Sequence, residues 1–231
     1  MLILGIETCL PSGLVFLGKE EGVLVSCNLP AHSSSRYLVP AVESVLREVN
    51  LSIDKIDALV VSKGPGSFTG LRVGISLAKS LSFSLELPLV GVATLDYIAS
   101  CVPFNGFICC LIPAYRNCFF SAFFYKEGED LTRRSDYLFL PFEKIIDEAK
   151  KLLPEKVVFV FFPENFSLPG NLDSRFSLFK EKICLDRALL KWALRDVRNG
   201  KIIDPLALVP VYVSPPLINI CLLYTSPSPR D

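Results

Sequence analysis

Histidine is all but missing from this chain: His32 stands alone among 231 residues. A metal centre built on paired imidazoles and an H-x-x-x-H peptidase are therefore excluded, and His32 reads as a polar loop or interface residue ahead of a helix. No C-x-x-C spacing joins the eight cysteines (Cys9, Cys27, Cys101, Cys109, Cys110, Cys118, Cys184 and Cys221), so a zinc site is not expected either. They read as reduced, buried thiols that act as small hydrophobes. Excess charge is absent, with 24 Lys plus Arg against 24 Asp plus Glu. Without a global field toward phosphate backbones, any nucleic-acid contact is local rather than spread over the surface. The pair Arg133-Arg134 is a solvated turn in this reading, because two charges release too few counterions to hold RNA. No uninterrupted apolar run reaches 18 residues, and the N-terminus lacks a basic stretch before its apolar one, so the expected location is the cytoplasm.

What the chain has is apolar mass: 51% of it is hydrophobic, enough for one large domain or two small ones. Residues 2–8, 13–17 and 23–29 are apolar runs separated by Pro, Gly and Glu-rich turns, which predicts three antiparallel strands. Over residues 33–49 the period becomes helical, with Leu38, Ala41, Val42, Val45, Leu46 and Val49 on one stripe and serines 33–35 available as caps. Ala58–Ser62 is a β-branched strand, residues 70–85 a second helix, Leu89–Val92 a strand, and Thr94 caps a short helix to Cys101. Strand patterning resumes at 107–112 and 118–125, a second, smaller copy of the opening hairpin. Residues 142–153 and Leu185–Arg198 follow as helices, the latter holding the only tryptophan, Trp192; 157–162 and 209–213 are strands. Residues 163–182 carry no assignable period. This order predicts an α/β chain of two lobes, 1–103 and 104–216, with a tail at 217–231.

One segment is specific: Gly64-Pro65-Gly66-Ser67-Phe68-Thr69-Gly70-Leu71-Arg72-Val73-Gly74. Two glycines around a proline make a tight strand-to-helix turn, Ser67 or Thr69 can cap the helix, and its opened N-terminus suits an anion or a partner's carbonyls. It is neither a Walker loop, since no Gly-Lys-Ser/Thr follows, nor a dinucleotide fingerprint. Lys63 and Arg72 flank the turn, either to counter a phosphate or as ordinary exposed cations. Glu7, at the tip of the first strand beside Thr8, either holds a metal-bound water or braces the first hairpin.

With the opening LILGIET, His32-Ser33, Leu38-Val39-Pro40, the run LPLVGVATL at 87–95 and the terminal Pro210-Val211-Tyr212-Val213, this motif resembles the TsaB family. That family is glycoprotease-like, within the actin, Hsp70 and sugar-kinase superfamily, and the likeness covers about residues 2–216. Residues 221–231 (CLLYTSPSPRD) look instead like a translated sequencing adapter and are set aside. The resemblance implies a two-lobed actin-like ATPase fold and a non-catalytic subunit. That subunit would pair with the catalytic TsaD paralogue, joined by the TsaE ATPase, for threonylcarbamoyl transfer to adenosine 37 of tRNA. It further implies pairing through the first two long helices, for which Leu38, Val42, Val45, Leu71, Gly74, Ile75, Ala78 and Leu81 are the candidates, although the same stripes also read as wholly internal core. A homodimer through the same face is an alternative. Glu7, Thr8, Lys63, Gly64 and Gly66 are the candidate nucleotide contacts, ATP or ADP being expected at most at the joint with a partner, and neither a metal ligand nor a catalytic residue is nominated. Two departures bear on this. Glu7 stands where the family often has Asp, and Pro113-Ala114-Tyr115-Arg116 stands where it often has Asp-Ala-Arg, which removes a carboxylate. An independent ATP-dependent phosphotransferase of the same superfamily is the alternative activity.

Overall fold

The computed structural model describes residues 1–152, 155–162 and 173–213. Strands β1 (Ile3–Glu7), β2 (Leu14–Lys19) and β3 (Gly22–Asn28) form an antiparallel meander, and β4 (Ala58–Ser62) and β5 (Leu89–Val92) add in parallel on the far side of β1, giving the order β3-β2-β1-β4-β5. Helix α1 (Ser34–Glu48) leads from β3 to β4, and α2 (Phe68–Leu85) from β4 to β5. Alternate residues of the strands face opposite ways: Leu4, Ile6, Leu59 and Val61 pack with α1 and α2, whereas Ile3, Phe16, Val60 and Val90 face the opposite layer. Burial on both faces explains why β1 and β4 are uninterrupted apolar runs rather than alternating ones.

The opposite layer consists of α3 (Thr94–Ser100) and a helix from far along the chain, Leu185–Arg198. Beyond it lies the second sheet. Its strands β6 (Gly106–Pro113) and β7 (Cys118–Glu127) form the long central hairpin, with β8 (Asp130–Arg133) and β9 (Leu138–Pro141) on β7 and β10 (Val157–Phe161) and β11 (Phe176–Leu178) beyond β6. Ile108, Cys110, Ala122 and Phe124 look inward to α3 and the returning helix. Cys109, Leu111, Phe123 and Phe159 look outward to α4 (Phe142–Leu152). The result is five layers, helix, sheet, helix, sheet, helix, in which the central helices α3 and α5 (Leu185–Arg198) share one core with both sheets. Among the described residues no helix is long and apolar enough to cross a membrane. Cys9, Cys109 and Cys110 are buried free thiols whose ionisation burial suppresses, as expected of small hydrophobes, but Cys27, Cys101 and Cys118 are only half-buried and Cys184 is exposed, so burial does not extend to all of the cysteines.

The lobe boundary drawn from the sequence, 104–216, needs correction. Leu185, Ala188, Leu189, Leu190 and Ala193 of α5 pack on the first sheet, and residues 201–213 return to it as an irregular strap. Ile203 N–H donates to Leu89 O (2.8 Å), Lys79 Nζ to Leu208 O (3.0 Å), and Val211 N–H to Lys63 O (2.7 Å). The strand expected at 209–213 is thus a docked strap without a ladder, and β8, β9 and β11 are short strands that the apolar pattern did not announce. The predicted tail, 217–231, lies outside the described residues.

The expected partner face is also corrected. Leu38, Val42, Val45, Leu71, Ile75 and Ala78 are buried inside the chain itself, Ala78 at 0% exposure. Gly74 faces Thr8, not solvent: a Cβ there would sit 2.1 Å from Thr8 Oγ1. Of the eight nominated residues only Leu81 is half-buried at the surface. The stripes are core because the sheet beneath claims them; what α1 and α2 leave outward is their neighbouring residues. Ala78→Arg should therefore unfold the chain rather than merely disrupt a pairing, lowering the thermal midpoint by roughly 10 °C or more. An unchanged midpoint by circular dichroism would mean that Ala78 lies at a surface.

Candidate functional site at the glycine-rich turn

Two turns converge at the C-terminal ends of β1 and β4. The β1–β2 turn carries Thr8, Cys9, Leu10 and Pro11; the β4–α2 turn carries Lys63 to Ser67. Ser67 N–H donates to Cys9 O (2.7 Å) and Thr8 Oγ1 to Gly70 O (2.7 Å). The spacing of Gly66, Gly70 and Gly74, four apart along the entry to α2, is a contact stripe. A Cβ at Gly66 would lie 2.3 Å from Cys9 O, and one at Gly70 1.8 Å from Thr8 O, so no side chain fits where this helix crosses the turn. Gly64 serves differently. It has φ +95° and a cis bond to Pro65, and its carbonyl accepts from Thr94 N–H (2.8 Å) at the start of α3. Ser67 is the cap, its hydroxyl accepting from Gly70 N–H (3.2 Å), and Thr69 is exposed.

Glu7 lies beneath both turns with 0% exposure. One carboxylate oxygen accepts from Cys9 N–H (2.5 Å) and Leu10 N–H (3.1 Å), and the other accepts from Tyr97 O–H on α3. Burial pushes this carboxyl above its usual range, although the hydrogen bonds from Tyr97, Ser62 and the two amides pull the other way. Of the two roles left open by sequence, bracing the hairpin is the one this geometry fits. Cys9 Sγ, 3.0 Å from Ser62 Oγ, is a buried thiol beside it.

The nominated nucleotide contacts therefore do not assemble into a phosphate site. Glu7 and Thr8 are enclosed and fully engaged, and Gly64 is covered by Leu71 and Val211. Lys63 is half-buried, its carbonyl holding the strap. Arg72 lays its guanidinium over the Phe68 ring at 3.9 Å. Only Gly66 reaches the open cleft between the lobes, together with Ser67 and Phe68 of the motif. That cleft, about 520 Å³, is lined by Phe68 and Tyr212 from the first lobe and its strap, by Tyr115 and Phe120 from the second, and by His32. His32 has φ +57° and is exposed, in keeping with a loop residue. Arg133 and Arg134 each lie over a tyrosine ring, Tyr137 and Tyr125, at 4.1 and 5.4 Å.

Sequence reasoning missed Tyr97 as the partner of Glu7, since 90 positions separate them and nothing local links the two. It also missed the aromatic walls, of which Tyr115 and Tyr212 sat inside quoted motifs without a role.

A second feature is a groove of about 470 Å³ on the outer side of α1 and α2, lined by Val39, Val42, Leu46, Leu51, Leu77 and Leu81, with Glu43 and Arg47 at its edge. Val39 is 53% exposed there.

Two sheets, each opening with an antiparallel hairpin and each flanked by helices, define an actin-like ATPase-type fold. Two solved structures from Pseudomonas aeruginosa share it. One, described as an uncharacterized protein with similarity to peptidase YEAZ, superposes with a TM-score of 0.73 at 18% identity over 92% of this chain and 99% of that one. The other, described as YeaZ, gives 0.71 at 20% over 91% and 99%. Residues 25–187 match the family described as TsaD: tRNA N6-adenosine threonylcarbamoyltransferase, and the chain belongs to that family. The expected TsaB-type resemblance is borne out within it. The Bacillus subtilis tRNA threonylcarbamoyladenosine biosynthesis protein TsaB is 32% identical over 131 residues, 55% of this chain and 57% of that protein. The Escherichia coli TsaB is 37% identical over 99 residues, 43% of each. The matched stretch spans about half the length of these curated relatives.

Because the folded-state value of Glu7 is raised, its contribution to stability is full below the usual carboxylate value of 4.5 and is lost as pH rises through the folded-state value. Glu7→Gln should flatten that part of the profile, and urea unfolding at a series of pH values reads it. A slope identical to wild type would contradict a buried, titrating Glu7.

Proposed function

We propose that this chain is an accessory subunit, non-catalytic on its own, in threonylcarbamoyl transfer to adenosine 37 of tRNA. It acts by pairing with a TsaD-type partner, with TsaE joining the assembly. The observation that carries this reading is the groove between α1 and α2, which leaves apolar side chains open at the surface. Such a groove accepts the apolar ridge of another helix, and the charged Glu43 and Arg47 at its edge set orientation. The relatives named TsaB support the pathway, and the relatives described as tRNA N6-adenosine threonylcarbamoyltransferases support a partner built on the same plan. Contact with tRNA comes through the complex, because the charges of this chain balance. The same groove can pair two copies of the chain when the partner is absent.

Lack of independent turnover follows from Glu7. A carboxylate with both oxygens bonded inside the core cannot hold a hydrated cation over a nucleotide, and Pro113 offers no replacement. The independent phosphotransferase reading has no observation in its favour.

Mixed with its TsaD at micromolar concentration, the chain should co-elute as a heterodimer. Val39→Glu, at a 53% exposed position, should weaken pairing at least about tenfold while leaving the thermal midpoint in place, and Leu81→Glu, whose side chain also packs on the core, should weaken it in the same direction with circular dichroism verifying that it folds. Separate elution of the wild-type proteins, or full pairing by both variants, would contradict the proposal.

A further inference from the structure

The actin-like fold implies a nucleotide with its metal in the cleft between the lobes, and the residues of this chain do not fit that group. Most donors of the two turns that would greet a phosphate are already spent. Cys9 and Leu10 N–H groups bond to Glu7, Ser67 N–H to Cys9 O, and Gly70 N–H to Ser67 Oγ, which leaves only the start of α2 to offer backbone donors. Thr8 Oγ1 is likewise engaged by Gly70 O. Among the described residues no three of His, Cys, Asp and Glu converge in a way that would hold a metal ion. The strap adds a further obstacle, since Val211 crosses the turn and places its carbonyl against Gly64.

What the cleft offers instead is rings. On the first lobe Phe68 and Tyr212 lie 5.5 Å apart at 38°. On the second, Tyr115 and Phe120 both pack on Phe139, at 4.8 and 5.5 Å, so each is backed by another ring. The same cavity is lined by the apolar side chains of Leu71 and Ile112, with Ser67 and His32 as polar groups. A cavity of about 520 Å³ lined by four aromatic rings, apolar side chains and a few polar groups has the proportions of a small-molecule site. We infer that this cleft binds a neutral, flat heteroaromatic ring of nucleobase size against the rings of Phe68, Tyr212, Tyr115 and Phe120, and not a nucleoside polyphosphate. The inference is independent of the pairing groove, which lies on the outer side of α1 and α2.

The experiment is titration calorimetry of the full chain with adenosine as the neutral ring and with ATP plus Mg²⁺ as the charged one. Adenosine should bind, and ATP with Mg²⁺ should bind no more tightly than adenosine. Tyr212→Ala, at a position 48% exposed and so harmless to the core, should weaken adenosine by about five- to 150-fold. Phe68→Leu should weaken it in the same direction, with circular dichroism verifying that each variant folds. If Phe68→Leu fails to fold, Tyr212→Ala carries the test alone. Absence of adenosine binding at millimolar concentration, tighter binding of ATP with Mg²⁺, or unchanged adenosine affinity in folded Tyr212→Ala overturns the inference.

Discussion

The contact on which the rest depends is the crossing of α2 over the β1–β2 turn. Gly66, Gly70 and Gly74 let the helix come so close that Thr8 and Cys9 bond directly to its first turns. Closeness here has a chemical consequence. Ser67 N–H is taken by Cys9 O across the crossing, Cys9 and Leu10 N–H are taken by Glu7 within their own turn, and Glu7 is sealed beneath them with Tyr97. The backbone of the two turns is thereby committed to holding the crossing in place.

The layering extends that rigidity. α3 and α5 lie between the sheets in one continuous core, and Tyr97, Ile98 and Leu189 within it are fully buried. Lys126 of β7 donates to the carbonyls of Ser100 (2.8 Å) and Val102 (2.6 Å), tying the second sheet to the end of α3. The strap from residue 201 to 213 then passes back along β5 and α2. The shared core and the Lys126 bonds therefore join the lobes, while the strap fastens the chain after α5 to the first sheet, an arrangement that favours a fixed spatial relation over opening and closing. A fixed body loses little ordering entropy on association.

Much of this was legible in the chain itself. Regular period gave α1, α2 and α5 their extents to within a few residues, and the apolar runs gave the central strands, because helices and doubly covered strands leave unmistakable patterns. The glycine-rich motif was read correctly as a strand-to-helix turn with Ser67 as one of its two possible caps. Its direction was not legible. Small residues four apart permit close approach, but the sequence does not say to what, and the approach is to Thr8 inside the chain rather than to another molecule. For the same reason Leu38, Val42 and Ala78 were nominated as a partner face: an apolar stripe reads alike whether a sheet or a second protein covers it. The return of α5 to the first sheet and the pairing of Glu7 with Tyr97 rest on long-range topology, which no local pattern encodes.

The central claim is that this chain works through the outer groove of α1 and α2 while its turn region stays locked. Hydrogen–deuterium exchange of the chain, alone and with its TsaD, tests it most directly. New protection on pairing should fall on residues 39–53 and 77–84, with the hydrogen-bonded amides of Cys9, Leu10, Ser67, Gly70 and Leu71 already slow in the free chain and unchanged on pairing. Protection that instead appears at 8–10 and 64–71, with the groove unaffected, would contradict it.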